Sequence, residues 1–142
     1  MKHVAAEPEL RPLVFPAKDV RTAFEATLER AGGSLGVWIV LNAVSDEGFI
    51  SHRTLATRAH VDGATITHHV DRAEEVGLVV REVDPSDRRV KRLRLTPAGV
   101  RLHKKLLAEV NGLEKRTLSG IPERDLAVLA RTLEAIRVNI EE

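Results

Sequence analysis

At Gly77 the pattern of apolar residues changes from helical to alternating, and that change restricts the fold more than any other feature of the sequence. Before it, Leu55, Ala56 and Ala59 share one helical face. Ile66, Val70 and Ala73 share another at i, i+4 and i+7, with only His60-Val61 between the two stretches. Ser51 and Asp62 are placed to cap these two helices, and Gly77 to end the second in a left-handed conformation that costs glycine nothing. After Gly77, LVVREV reads as a strand, DPSDRR as a turn and VKRLRL as a second strand. Leu93 and Leu95 then share one face of the hairpin, and Arg92 and Arg94 the other. Two helices with so short a connection, followed directly by a hairpin, describe a winged helix-turn-helix.

Helices flank this unit. Pro8, Pro12 and Pro16 predict an extended or irregular arm over the first sixteen residues. A helix from Ala17 to about Ala31 follows, with Val20, Phe24, Thr27 and Leu28 at helical spacing and Gly32-Gly33 as its end. Ser34 is then an N-cap for LGVWIVLNAV, which is apolar on nearly every face and must be central. Thr96-Pro97 opens a long helix to about Leu118. After the break SGIPERD, Leu126, Leu129, Leu133, Ile136 and Ile140 step by three and four along a last helix. So long a stripe in so small a protein asks for partner surface, the alternative being that it packs wholly within its own subunit. The fold class expected is mainly α with a small β-hairpin wing (α+β), in three regions: 1–33, 34–96 and 97–142.

Charge is uneven. The net value is +1, yet residues 51–108 carry twelve basic and seven acidic side chains, while each flank carries five and seven. A basic middle between mildly acidic ends fits either a polyanion-facing segment or a solvated surface. Cysteine is absent and Met1 is the only methionine, so thiolate metal sites and thiol-based sensing are excluded. No apolar run approaches the roughly 20 residues needed to span a bilayer, and MKHVAAEPELRPLVFPAK lacks a signal-peptide core; a cytoplasmic protein is expected. No glycine-rich phosphate loop, nucleophile–base motif or carboxylate constellation stands out, so neither an enzyme nor a bound cofactor is expected. His68 and His69 point about 100° apart on a helix and do not chelate; no metal is expected.

The order of elements and several short motifs resemble the multiple antibiotic resistance regulator (MarR) family of bacterial transcription factors, over nearly the whole chain. Most specific are Asp84-Pro85, Asp87-Arg88-Arg89 and Leu93-Arg94-Leu95-Thr96-Pro97-Ala98-Gly99, which are similar to the family's wing signature of an Asp-x-Arg turn leading to Leu-Thr-x-x-Gly. Leu55-Ala56, Thr65-Ile66-Thr67, Glu75-Val76-Gly77-Leu78-Val79 and LSGIPERDLAVL support it. The resemblance implies a homodimer in which the first and last two helices of each subunit interlock above two winged-helix lobes. The stripe of Leu126, Leu129, Leu133, Ile136 and Ile140 would lie in that interface.

It also implies a sequence-specific regulator of transcription that binds double-stranded DNA, a homodimeric repressor released by a small aromatic or phenolic effector. The alternative is a winged-helix module for protein contacts. The helix from Asp62 would enter the major groove with Gly63, Thr65, Thr67 and His68 facing out. Arg72, one turn on, would hold a phosphate or pair with Glu75 or Glu74. Arg53 and Arg58 would meet the backbone from the preceding helix. By resemblance Arg89 enters the adjacent minor groove, with Asp87 holding its guanidinium or the turn backbone. Arg88, Lys91, Arg92 and Arg94 would bind phosphates or solvate the hairpin. A dimer would address a pseudo-palindromic operator with half-sites about 34 Å apart. His68 stands where family members often carry arginine. Phe24, Trp38 and His69 are candidates for the effector pocket; Trp38 reads equally as plain core, and His69 as a core-edge histidine.

Overall fold

The computed structural model describes residues 10–47, 50–59 and 62–141. The elements are α1 (Arg11–Arg30), α2 (Leu35–Glu47), β1 (Ile50–Ser51), α3 (His52–Ala59), α4 (Gly63–Glu75), β2 (Val79–Val83), β3 (Lys91–Leu95), α5 (Pro97–Thr117) and α6 (Glu123–Glu141). The chain divides into two compact units, Met1–Asn111 and Gly112–Glu142.

In the first unit α2 is the hub. Its Val40, Leu41 and Val44 are fully buried against Leu55 of α3, Ile66 and Val70 of α4, and Leu93 of β3. Each such side chain removed from water stabilises the fold by about 1.5–3 kcal/mol. Ser34 caps α2 as its position predicts, its Oγ accepting from the Val37 N–H at 3.2 Å. Leu28 of α1 and Leu106 of α5 close the same core.

Two expectations need correction. The helix of α1 begins at Arg11 rather than Ala17, with Pro12 in its first turn and Pro16 in its interior. Pro12 stands where a backbone N–H would have no intrahelical acceptor, so it costs nothing there; Pro16 removes one hydrogen bond, and the helix continues past it. Pro8 lies outside the described residues. The second correction concerns the sheet, which holds a strand beyond the expected hairpin: Ser51 belongs to β1 and still immediately precedes α3, the position expected of it. The sheet has three antiparallel strands in the order β1-β3-β2, with Ile50 opposite Leu93 and Ser51 opposite Arg92. A two-residue strand carries no periodicity, so the sequence pattern could not reveal it.

The predicted hairpin is present, with Val79 opposite Leu95, Arg81 opposite Leu93 and Val83 opposite Lys91. Gly77 adopts φ 78°, the left-handed conformation its position required. Thr96 caps α5, its Oγ1 accepting from the Gly99 N–H at 3.1 Å.

In the second unit α6 follows a turn at Gly120, and the Pro122 carbonyl accepts from Asp125 and Leu126 to open the helix. Among the described residues α6 buries none. Leu129, Leu133 and Ile140 are exposed, and Leu126 and Ile136 half-buried.

Candidate nucleic-acid interface

The first turn of α4 is fixed by one carboxylate. Asp62 Oδ1 accepts from the Thr65 N–H and Oδ2 from the Thr65 hydroxyl, both at 2.8 Å. Those bonds, the backbone one foremost, hold the Asp62 carboxyl below its usual range. Ile66, Val70 and Ala73 are fully buried, which turns Gly63, Thr67, His68 and Arg72 to solvent and leaves Thr65 half-buried. A Cβ at Gly63 would meet nothing within 4 Å, so no neighbour in the chain requires glycine there. The Thr67 hydroxyl donates to the Gly63 carbonyl at 2.8 Å. Both threonines have therefore committed their hydroxyl protons, and what they offer outward is chiefly a methyl group. Arg72 approaches Glu75 at 3.9 Å, one of the two roles its spacing allowed; between groups this exposed such a pair contributes little. Arg53 and Arg58 fall on α3, and their side chains lie outside the described residues.

On the wing the basic residues divide by what they touch. Asp87 Oδ1 accepts from the Arg89 backbone N–H at 3.0 Å and from its Nε at 3.2 Å, yet the Arg89 side chain is 92% exposed. One carboxylate oxygen thus anchors both the turn and the root of the guanidinium, while its far end stays open to a partner. Arg88 and Lys91 are exposed. Arg92 and Arg94 are not presented in that way: Arg92 Nη2 lies 2.7 Å from Asp84 Oδ2, and Arg94 pairs with Glu82.

The tertiary roles of two residues, Arg81 and Asp84, are not legible in the sequence pattern. Arg81 of β2 reaches back to α4, with Nη2 2.5 Å from Asp71 Oδ1 and Nη1 3.1 Å from Glu74 Oε1. It ties the far end of α4 to the wing through a tertiary contact that no local spacing encodes. Asp84 is the only carboxylate buried among the described residues; an aspartate two residues before a serine at a turn was the signal available for it.

Beside α4 lies a cavity of about 460 Å³, lined by Arg21, Glu25 and Glu29 of α1, Gly36 and Val37 of α2, and His68, His69 and Arg72 of α4. Burial foremost, and then the charge of His68, lower the pKa of His69. Phe24 and Trp38 do not line this cavity. Their rings meet edge to face at 6.0 Å, and Trp38 stacks on His103 at 5.9 Å. The three pocket candidates are therefore not brought together: His69 faces the cavity, and the aromatic pair belongs to the packing between α1, α2 and α5.

Among the described residues, no group of three or more His, Cys, Asp or Glu could hold a metal ion, and no helix is long and apolar enough to cross a membrane.

Residues 32–90, which hold α2 to the wing tip, match the profile of the MarR family. The HTH-type transcriptional repressor IacR of Pseudomonas putida is 32% identical over 104 residues, covering 73% of this chain and 62% of IacR. The chain spans less than two thirds of the length of the curated relatives it matches, 62% and 63%. Among solved structures, CouR from Rhodococcus jostii RHA1, bound to p-coumaroyl-CoA, superposes with a TM-score of 0.80 at 32% identity, covering 87% of each chain. A MarR-family regulator from Silicibacter pomeroyi gives 0.71 at 26% identity, covering 90% of this chain and 89% of that one. With the helix-turn-helix, the wing and the flanking helices all in the family's order, the chain belongs to the MarR family.

Proposed function

We propose that this chain is a sequence-specific, double-stranded-DNA-binding regulator of transcription, working as a homodimeric repressor in the bacterial cytoplasm. The observation that carries the reading is the Asp87–Arg89 arrangement on the wing. An arginine held at its root and 92% exposed at its end projects from the wing, on the same lobe as an outward face of Gly63, Thr67 and His68. Narrow minor grooves concentrate negative potential and attract a guanidinium of this kind, while a capped helix with small residues at its start suits the major groove. Thr65 and Thr67 would contact thymine methyls, Arg72 a phosphate, and Arg88 and Lys91 the backbone beside the wing.

The open stripe of α6 supports a dimer: a five-residue aliphatic run with no buried member needs a partner. Two lobes would then address a pseudo-palindromic operator. The cavity beside His69 is the effector site in this reading. Its lining mixes Arg21, Arg72 and two histidines with Glu25 and Glu29, Arg21 being paired with Glu25 at 3.0 Å, so the ligand class is inferred from CouR, which is similar over most of both chains and is bound to p-coumaroyl-CoA. A small aromatic acid or its thioester is the class we infer.

The test is Arg89→Ala in a titration against a duplex that the wild-type protein enriches from a random-sequence pool. Affinity falls by at least about tenfold with the thermal midpoint unchanged. Unchanged affinity would remove the wing from the interface.

A further inference from the structure

Asp84 is an anomaly on the hairpin. The wing tip around it is solvated, but its own side chain is only 7% exposed. Oδ1 accepts from the Ser86 N–H at 2.9 Å and from the Ser86 hydroxyl at 2.7 Å. Oδ2 receives the Arg92 guanidinium at 2.7 Å. The backbone of the same residue closes the loop: its N–H donates to the Val90 carbonyl at 2.9 Å, and its carbonyl accepts from Asp87 at 3.2 Å. Val90 in turn donates to the Asp87 carbonyl at 3.0 Å. Every bond that shapes the loop from 84 to 90 therefore passes through Asp84 or through Asp87, the residue that roots Arg89.

Arg92 stands directly opposite Glu82 in the ladder, yet it reaches diagonally toward the tip to Asp84. Arg94, opposite Val80, makes the same diagonal step to Glu82. Burying a carboxylate is costly unless it is fully paired, and an apolar or glycine turn could close a hairpin without that cost. A buried, paired charge at this point fixes one geometry of the loop rather than merely adding stability.

We propose that Asp84 is a positioning residue for the wing, acting on DNA only through Arg89, and that Arg92 is its counterion rather than a phosphate contact. The proposal rests on the DNA-binding reading above. Asp84 makes the loop rigid, the loop sets where Asp87 stands, and Asp87 aims the guanidinium. Loss of Asp84 leaves Arg89 present but badly aimed.

The experiment is a double-mutant cycle between Asp84→Asn and Arg89→Ala on the full chain, read by titration of the selected duplex at several salt concentrations. Alone, Asp84→Asn weakens binding about fivefold or more; in the Arg89→Ala background it costs less than about twofold, because a badly aimed arginine cannot matter once the arginine is gone. Arg92→Gln weakens binding similarly and keeps the wild-type slope of log affinity against log salt. A phosphate contact would instead lower that slope by about one. Should Asp84→Asn not fold, Arg92→Gln crossed with Arg89→Ala reads the same coupling. If Arg89→Ala alone changes nothing, the wing reading and this proposal both fall. If Arg89→Ala weakens binding but Asp84→Asn costs the same factor in both backgrounds, the wing reading stands and the positioning role is overturned. A reduced slope in Arg92→Gln overturns the counterion role.

Discussion

Gly99 lies against the carbonyl oxygen of Leu78 so closely that a Cβ built on it would fall inside that oxygen's van der Waals shell. The same carbonyl accepts from the Thr96 N–H at 3.0 Å, and the Thr96 hydroxyl donates to the Gly77 carbonyl at 2.6 Å. The end of α4, the start of β2 and the start of α5 thus meet at one joint. The contact is with backbone, which cannot swing aside as a side chain can. Gly99→Ala is expected to cost on the order of 3 kcal/mol or more, measured by denaturant unfolding. A substitution at neighbouring exposed Val100, to alanine, serves as control and costs far less.

Acid should loosen the winged-helix lobe through two carboxyls. Asp62 and Asp84 are both held below the usual aspartate value, by Thr65 and by Ser86 respectively. A folded-state pKa lowered in this way stabilises the fold above the unfolded value of about 4, and the gain disappears as pH falls through the folded value. Chemical denaturation at steps from pH 7 to pH 3 should therefore show stability declining below about pH 4. Asp62→Ala should show a shallower decline and, by uncapping α4, weaker DNA binding at neutral pH.

His69 titrates in a different window. Burial lowers its pKa, so the folded protein resists a proton that the unfolded chain accepts. Stability is full above about pH 6.5 and falls as pH drops from there toward the folded value. His69→Gln should flatten the dependence between pH 7 and pH 5. A flat wild-type profile in that interval would contradict the assignment.

Gly36 backs onto the His69 imidazole, where a Cβ would stand 2.7 Å from Cε1. Gly36→Ala should push the ring into the cavity. A thermal-shift screen of aromatic acids and their coenzyme A thioesters should then find hits for the wild type that are lost in the variant. Hits that persist at equal affinity would locate the effector elsewhere.

Leu129 and Leu133 lie one turn apart on the open face of α6. Leu133→Glu, and more so the pair with Leu129→Glu, should convert the species seen by light scattering from dimer to monomer. DNA affinity should fall with it, since each lobe would then bind alone.

What could be read in advance was whatever depends on local chemistry. The caps at Ser34, Asp62 and Thr96, the inward set of Ile66, Val70 and Ala73, and the left-handed Gly77 all follow from residues within one or two turns. Pro16 misled because a helix already anchored in a core tolerates one lost bond, a tertiary override of a local preference. β1 was invisible because its two residues are held by β3 rather than by their own pattern. Within the site, Asp87 and Arg89 were legible as a motif. The Arg81 tie to Asp71 and Glu74 was not, since it depends on how the chain folds back after Gly77. Alternation on the strand gave the correct face for Arg92 and Arg94, but it could not reveal that acidic neighbours claim them.

Those claimed arginines bear on how the molecule would search. Arg81, Arg92 and Arg94 are each neutralised by carboxylates of the same lobe. In the DNA-binding reading they would release fewer counterions on meeting a random duplex than unpaired arginines would, and counterion release supplies most of the grip on non-cognate sequence. A DNA-binding protein built this way would meet a random duplex with fewer free charges than its count of arginines implies. In the reading proposed above, sequence-independent grip would fall to the exposed Arg72, Arg88, Arg89 and Lys91.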